Sequence, residues 1–142
     1  MTSRVEWGLF LARLILGGTM FAHGIQKFTM MDSVVMMFSE NFGLPSFLAY
    51  GTAIVETVAG LALILGLFVE LSAILLGIVM IGAIITVKLP MVGFFGNGQM
   101  PGYELDLALL AIAIILTVAG SRQFALSNLF SKEKKKNNPI SV

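Results

Sequence analysis

The chain predicts an all-α integral membrane protein, a bundle of four spanning helices. Two observations carry that prediction. Only 12% of the residues are Asp, Glu, Lys or Arg, while 57% are hydrophobic and the mean hydropathy is +0.93. A soluble domain has about 25% charged residues, so this chain has too little polar surface to cover a water-facing globule. The apolar residues also fall in four long runs with no alternation, which suits helices rather than the strands of a barrel.

The elements follow in order. The first apolar run extends from about Trp7 to Ala22 and the second from about Phe47 to Val69. The third extends from about Leu71 to Leu89 and the fourth from about Leu105 to Ala119. With their amphipathic flanks they predict helices over about residues 5–24, 46–69, 71–89 and 104–120. Between the first two, Phe28–Phe42 has apolar residues at helical spacing and reads as a short amphipathic helix lying along the membrane surface. Gly43-Leu44-Pro45 precedes the second helix, and a tight turn around Phe68–Glu70 makes the second and third helices antiparallel neighbours. Pro90 ends the third, and the glycine-rich stretch Gly93–Gly98 forms a loop before Pro101-Gly102 opens the fourth. The four helices form one transmembrane domain, residues 1–126, followed by a flexible basic tail, residues 127–142. Residues 1–24 read as a retained span rather than a cleaved signal peptide, because Arg13 interrupts the run and no small-x-small site follows.

Basic residues set the expected orientation. Arg122, Lys132, Lys134, Lys135 and Lys136 lie at or beyond the end of the fourth helix, so the positive-inside rule places both termini in the cytoplasm of a plasma-membrane protein. The tail would meet anionic headgroups. One short basic run without interleaved aromatics does not suit nucleic acid. The chain has no cysteine, which excludes disulfides and thiolate zinc or iron–sulfur sites of its own. It has one histidine, His23, too few for a bis-histidine haem within one copy.

Charges within spans are costly, so each is a candidate for function. Arg13 lies in the middle of the first helix, and Glu56 lies about 15 Å below the outer end of the second. Glu56 shares a face of small or polar residues with Ala49, Thr52, Ala53, Ala59 and Gly60, the composition of a packed interface. Because the two helices are antiparallel, an Arg13–Glu56 salt bridge near the midplane is expected. A second group gathers at the outer ends: His23, Gln26 and Lys27 close the first helix, and Tyr103, Glu104 and Asp106 open the fourth. His23 is the side chain suited to shuttling protons near neutral pH. Lys88 shares its α-helical face with Ile81, Ile84 and Ile85 and reads as a lipid-facing, snorkelling lysine. Met30, Met31, Met36 and Met37 could offer thioethers to copper, but they alternate with apolar residues and read as surface packing. No metal site is expected.

Arg13-Leu14-Ile15-Leu16-Gly17 and Phe21-Ala22-His23-Gly24-Ile25-Gln26-Lys27 resemble the first-helix signature of the DoxX family. Glu56-Thr57-Val58-Ala59-Gly60-Leu61 with Leu65-Gly66-Leu67 resembles its second-helix signature, and Tyr103-Glu104 its fourth-helix start. The stretch Gly120–Leu126 is only a loose match to the family's ending. The resemblance implies a small four-helix membrane protein of a family commonly described as oxidoreductases, linked to quinone reduction or to thiol and oxidative-stress pathways. It points to Arg13, His23, Gln26, Lys27, Glu56 and Glu104.

The reading that follows is a quinone-linked oxidoreductase subunit. His23, Glu56 and Glu104 would handle protons, and Arg13, Gln26, Lys27, Tyr103 and Asp106 would bind substrate. Electrons would come from a redox partner protein. A non-enzymatic scaffold is the alternative, since small-residue pairs such as Gly8/Ala12, Ala62/Gly66 and Ala73/Gly77 favour helix association, including homo-oligomers. A small-solute transporter is a third reading, for which four spans are few.

Overall fold

Ser3–Thr29 forms one continuous helix, α1, longer at both ends than its apolar run. At 1.5 Å per residue, its 27 residues extend about 40 Å. Helix α2 (Met31–Met36) follows and widens into π-helical turns over Met37–Asn41. Helix α3 covers Ser46–Leu65 and α4 covers Val69–Ala83, which runs on without a break as a π-helical segment, Ile84–Val92. Helix α5 covers Tyr103–Ala119 and α6 covers Ser127–Lys136. The computed structural model describes residues 3–122 and 124–136. Among these there is no strand, and the one β-type contact is an isolated bridge between Gly96 and Pro101. The predicted tail is therefore helical over Ser127–Lys136, and its last six residues lie outside the described residues.

Among the described residues, three helices are long and apolar enough to cross a bilayer: Ser3–Thr29, Ser46–Leu65 and Val69–Val92. Only 33% of each apolar window is buried within the protein, so most of that surface faces outward and needs lipid. Helix α5 has 17 residues and is equally apolar, reaching about 25 Å.

Glycine fixes the register of α1 on α3. A Cβ added at Gly17 would lie 2.8 Å from the Gly60 carbonyl, and one at Gly60 would lie 2.6 Å from the Phe21 amide. One added at Gly24 would collide with Thr57. The antiparallel pair thus sets Gly17 opposite Gly60 and Gly24 opposite Thr57. The small face expected on α3 is the buried one: Ala49, Ala53, Glu56, Ala59 and Gly60, joined by Leu63. Helix α4 packs on α3 and α5, and Leu16 of α1 with Leu63, Leu76 and Leu116 is fully buried where the four helices meet. Of the small-residue pairs, Gly77 touches Leu110 and Ala113 inside the bundle, while Gly8 faces open space.

The turn from α3 to α4 is short because Gly66 adopts the left-handed conformation (φ 71°) that ends a helix, with the Leu67 amide donating back to the Ala62 carbonyl at 2.8 Å. The segment after α5 folds back onto this end. The Leu126 amide donates to the Leu65 carbonyl at 3.0 Å and the Ser127 amide to the Gly66 carbonyl at 3.4 Å, satisfying carbonyls that α3 leaves open.

Candidate functional site

Arg13 and Glu56 both lie in the protein interior, 0% and 4% exposed, yet they do not meet. The register explains this correction to the sequence-based expectation. Arg13 lies opposite Gly66, whose added Cβ would be 2.8 Å from Arg13 Nη1, whereas Glu56 lies beside Thr57 and so faces the Gly24 end of α1. Arg13 instead donates to the Ser121 carbonyl at 3.3 Å and the Phe124 carbonyl at 3.4 Å, and stacks over the Phe10 ring at 5.1 Å. Phe124 packs on Trp7 and Phe10, with ring centroids 5.4 and 5.3 Å away. Arg13 therefore clasps the segment after α5. It lies about 21 Å along α1 from Lys27, too far to share a site with it.

Glu56 has a different partner. Lys27 Nζ donates to Glu56 Oε1 at 2.7 Å and to Thr52 Oγ1 at 3.4 Å, and the Glu56 side chain is 6% exposed. The other carboxylate oxygen, Glu56 Oε2, is buried and has no hydrogen-bond partner.

A second ion pair stands across the bundle. Lys88 Nζ lies 3.5 Å from Asp106 Oδ2 and donates to the Pro101 carbonyl at 2.5 Å. Lys88 is 8% exposed, so it does not snorkel into lipid as its α-helical wheel position suggests. The π-helical segment that carries it, Ile84–Val92, turns it inward. The loop before α5 receives it: Gly93, Gly96 and Gly98 all take positive φ, and an alanine at Gly102 would collide with Phe94. The carbonyls of Gly93 and Phe94 accept the amides of Tyr103 and Glu104 at 3.2 and 3.3 Å, covering the start of α5.

The two ion pairs line one cavity of about 440 Å³. Ligand pockets typically hold roughly 300–1,000 Å³. Its walls come from α1, Glu56 of α3, α4 with the π-helical segment that continues it, and α5, and α2, its own π-helical continuation and the 99–101 loop cover it. Of the residues expected at the site, His23, Gln26, Lys27, Glu56 and Asp106 line it. Glu104 is exposed and does not, and Tyr103 packs edge-on against Phe94 with centroids 5.2 Å apart. Lys88 is the lining residue that wheel reasoning missed. Methionine is the other signal: Met20, Met30, Met37, Met80 and Met100, five of the nine, converge here from separate elements. Among the described residues, no three His, Asp or Glu side chains gather to hold a metal.

Such a cavity can hold an apolar ring between two hydrogen-bonding poles. The thioethers supply an adaptable, polarizable wall, and each lysine–carboxylate pair can exchange hydrogen bonds with an oxygen or nitrogen of a ligand.

Residues 8–89 match the DoxX family. The chain is similar to the Bacillus subtilis (strain 168) protein named "Putative oxidoreductase CatD", with 39% identity over 138 residues that cover 97% of this chain and 98% of that one. It is also similar to "Uncharacterized membrane protein Rv3486" of Mycobacterium tuberculosis (strain ATCC 25618 / H37Rv), with 33% identity over 129 residues covering 84% and 79%. No solved structure matches. The chain is thus a helical membrane protein that belongs to the DoxX family.

Proposed function

We propose that the protein is a four-span plasma-membrane protein whose cavity binds a quinone, as a subunit of a membrane oxidoreductase. Helix α5 serves as the fourth span, and the basic tail keeps both termini cytoplasmic. The observation that carries this reading is the buried Glu56 carboxylate. One oxygen is held by Lys27 while Oε2 has no partner, in a cavity otherwise walled by apolar and thioether groups. Leaving a buried charged acceptor half-satisfied costs free energy that a ligand donor would recover. The name of the Bacillus relative is consistent with redox work.

Reduction of a quinone to its quinol takes two electrons and two protons. The electrons come from a partner protein carrying a redox group. The protons reach the ring oxygens through the cavity groups, with Glu56 beside the ring and His23 at the exposed rim. Binding is read by calorimetry or native mass spectrometry of the chain reconstituted in lipid. Wild type is expected to bind a short-tailed quinone, and Glu56→Gln to bind it at least tenfold more weakly. Absence of binding to wild type, or equal binding by the variant, would refute the assignment.

A further inference from the structure

Two features of the cavity narrow the ligand further. The first is that both of its lysine–carboxylate pairs are incomplete. Glu56 Oε2 has no hydrogen-bond partner, and neither does Asp106 Oδ2, whose 3.5 Å approach to Lys88 Nζ makes an ion contact but no hydrogen bond. The lysines also keep N–H groups in reserve. An ammonium has three, of which Lys27 spends two, on Glu56 and Thr52, and Lys88 spends one on the Pro101 carbonyl. Each pair can therefore donate to a carbonyl oxygen or accept from a hydroxyl at the same place.

The second feature is their arrangement. One pair is built by α1 and α3, the other by the end of the α4 span and α5, and both line a single cavity. Met20, Met80 and Leu109 belong to the wall of that same cavity. We infer that Lys88 and Asp106 form a second binding pole, so that the site takes a planar six-membered ring bearing an oxygen at both ends. This rests on the quinone reading above and deepens it. A ring with one oxygen satisfies one pole and leaves the other buried and unpaired, which costs the full desolvation of that group. The two-pole site also accepts both oxidation states: lysine N–H groups meet the carbonyls of the oxidised ring, and the carboxylates accept from the hydroxyls of the reduced one. The methionine wall adapts to ring substituents without changing this pattern.

Three tetramethylated six-membered rings of near-equal size separate the cases: duroquinone and durohydroquinone, with two oxygens, and durenol, with one. Calorimetry on the full chain in anaerobic nanodiscs is expected to show both two-oxygen rings binding at least about tenfold more tightly than durenol. The double variant Lys88→Met/Asp106→Leu removes the second pole without stranding a charge. It should bind the two-oxygen rings no better than durenol. Asp106→Asn, which keeps the shape, should lose part of the preference and serves if the double variant does not fold. Equal affinity of wild type for all three rings would overturn the two-pole inference, as would a variant that still discriminates, and the quinone reading would stand. Failure of wild type to bind any of the three would overturn both.

Discussion

The Lys27–Glu56 pair lends itself to a double-mutant cycle whose size follows from its burial. Lys27→Met leaves the Glu56 carboxylate, 6% exposed, with neither oxygen held by an ammonium. Breaking a buried ion pair from one side costs roughly 3–5 kcal/mol. Lys27 is 24% exposed, so water can reach its vacated place, and the lower end, about 3 kcal/mol, applies. Glu56→Leu is milder, about 1.5 kcal/mol, because the freed ammonium can reach solvent. Lys27→Met/Glu56→Leu removes both charges and should fall within about 1 kcal/mol of wild type. The coupling energy is then about 4 kcal/mol, far above the few tenths expected of independent sites. Reversible unfolding in mixed micelles, followed by circular dichroism, measures all four proteins. A parallel cycle pairs Arg13→Met with Glu56→Leu. These residues are about 16 Å apart along the helices, so their effects should add. Additive effects at Lys27 and Glu56, together with strong coupling of Arg13 to Glu56, would refute the register and restore the midplane salt bridge.

Other substitutions test separate parts of the argument. Gly60→Ala places a methyl 2.6 Å from the Phe21 amide and should destabilise the bundle by about 3 kcal/mol. Gly77→Ala makes only ordinary contacts at 3.6 and 3.9 Å and should be neutral or stabilise by up to about 1 kcal/mol in the same unfolding assay. Arg13→Met removes two hydrogen bonds and a ring contact worth about 2 kcal/mol in all, so trypsin should cleave after Arg122 roughly thirtyfold faster in a limited digest. Glu104→Gln, exposed and outside the cavity, should leave quinone-analogue affinity within about twofold of wild type, in contrast to Glu56→Gln.

The sequence made the helices and one wall of the site legible, because lipid enforces strong rules. Long apolar runs had to be helices, and the small face of α3 with a carboxylate in it had to face inward. Arg13 and Glu56 were rightly read as buried. Their pairing was not legible, since antiparallel helices can slide, and only the contacts of Gly17, Gly24 and Gly60 select one register. The shift separates the two charges, hands Glu56 to Lys27 and frees Arg13 to clasp the chain after α5. Tyr103 and Glu104 fell at the right level, but of the three polar residues that start α5 only Asp106, two residues beyond Glu104, points toward the cavity.

Lys88 shows where periodicity itself misleads. Along α4 the buried stripe runs through Val69, Ala73, Leu76 and Met80, an α-helical pattern. Continued at 100° per residue, it would leave Lys88 roughly a quarter turn away, between the stripe and the lipid-facing side of Ile81 and Ile85. From Ile84 onward the bonding changes to i→i+5, as in the 2.8 Å bond from the Gly93 amide to the Lys88 carbonyl. A wider turn rotates less per residue. Over the four residues from Ile84 to Lys88 that lag accumulates and brings Lys88 back onto the buried stripe, next to Val87 and facing Asp106. Pro90 favours the change, since it has no amide to give to an α-helical ladder. π-Helical turns cost hydrogen-bond geometry and occur mostly where a side chain must be re-aimed for a function. Here the re-aimed side chain completes the second pole of the cavity. Restoring α-helical bonding in this segment should therefore turn Lys88 out to lipid and abolish the two-oxygen preference while leaving the Lys27–Glu56 pole intact.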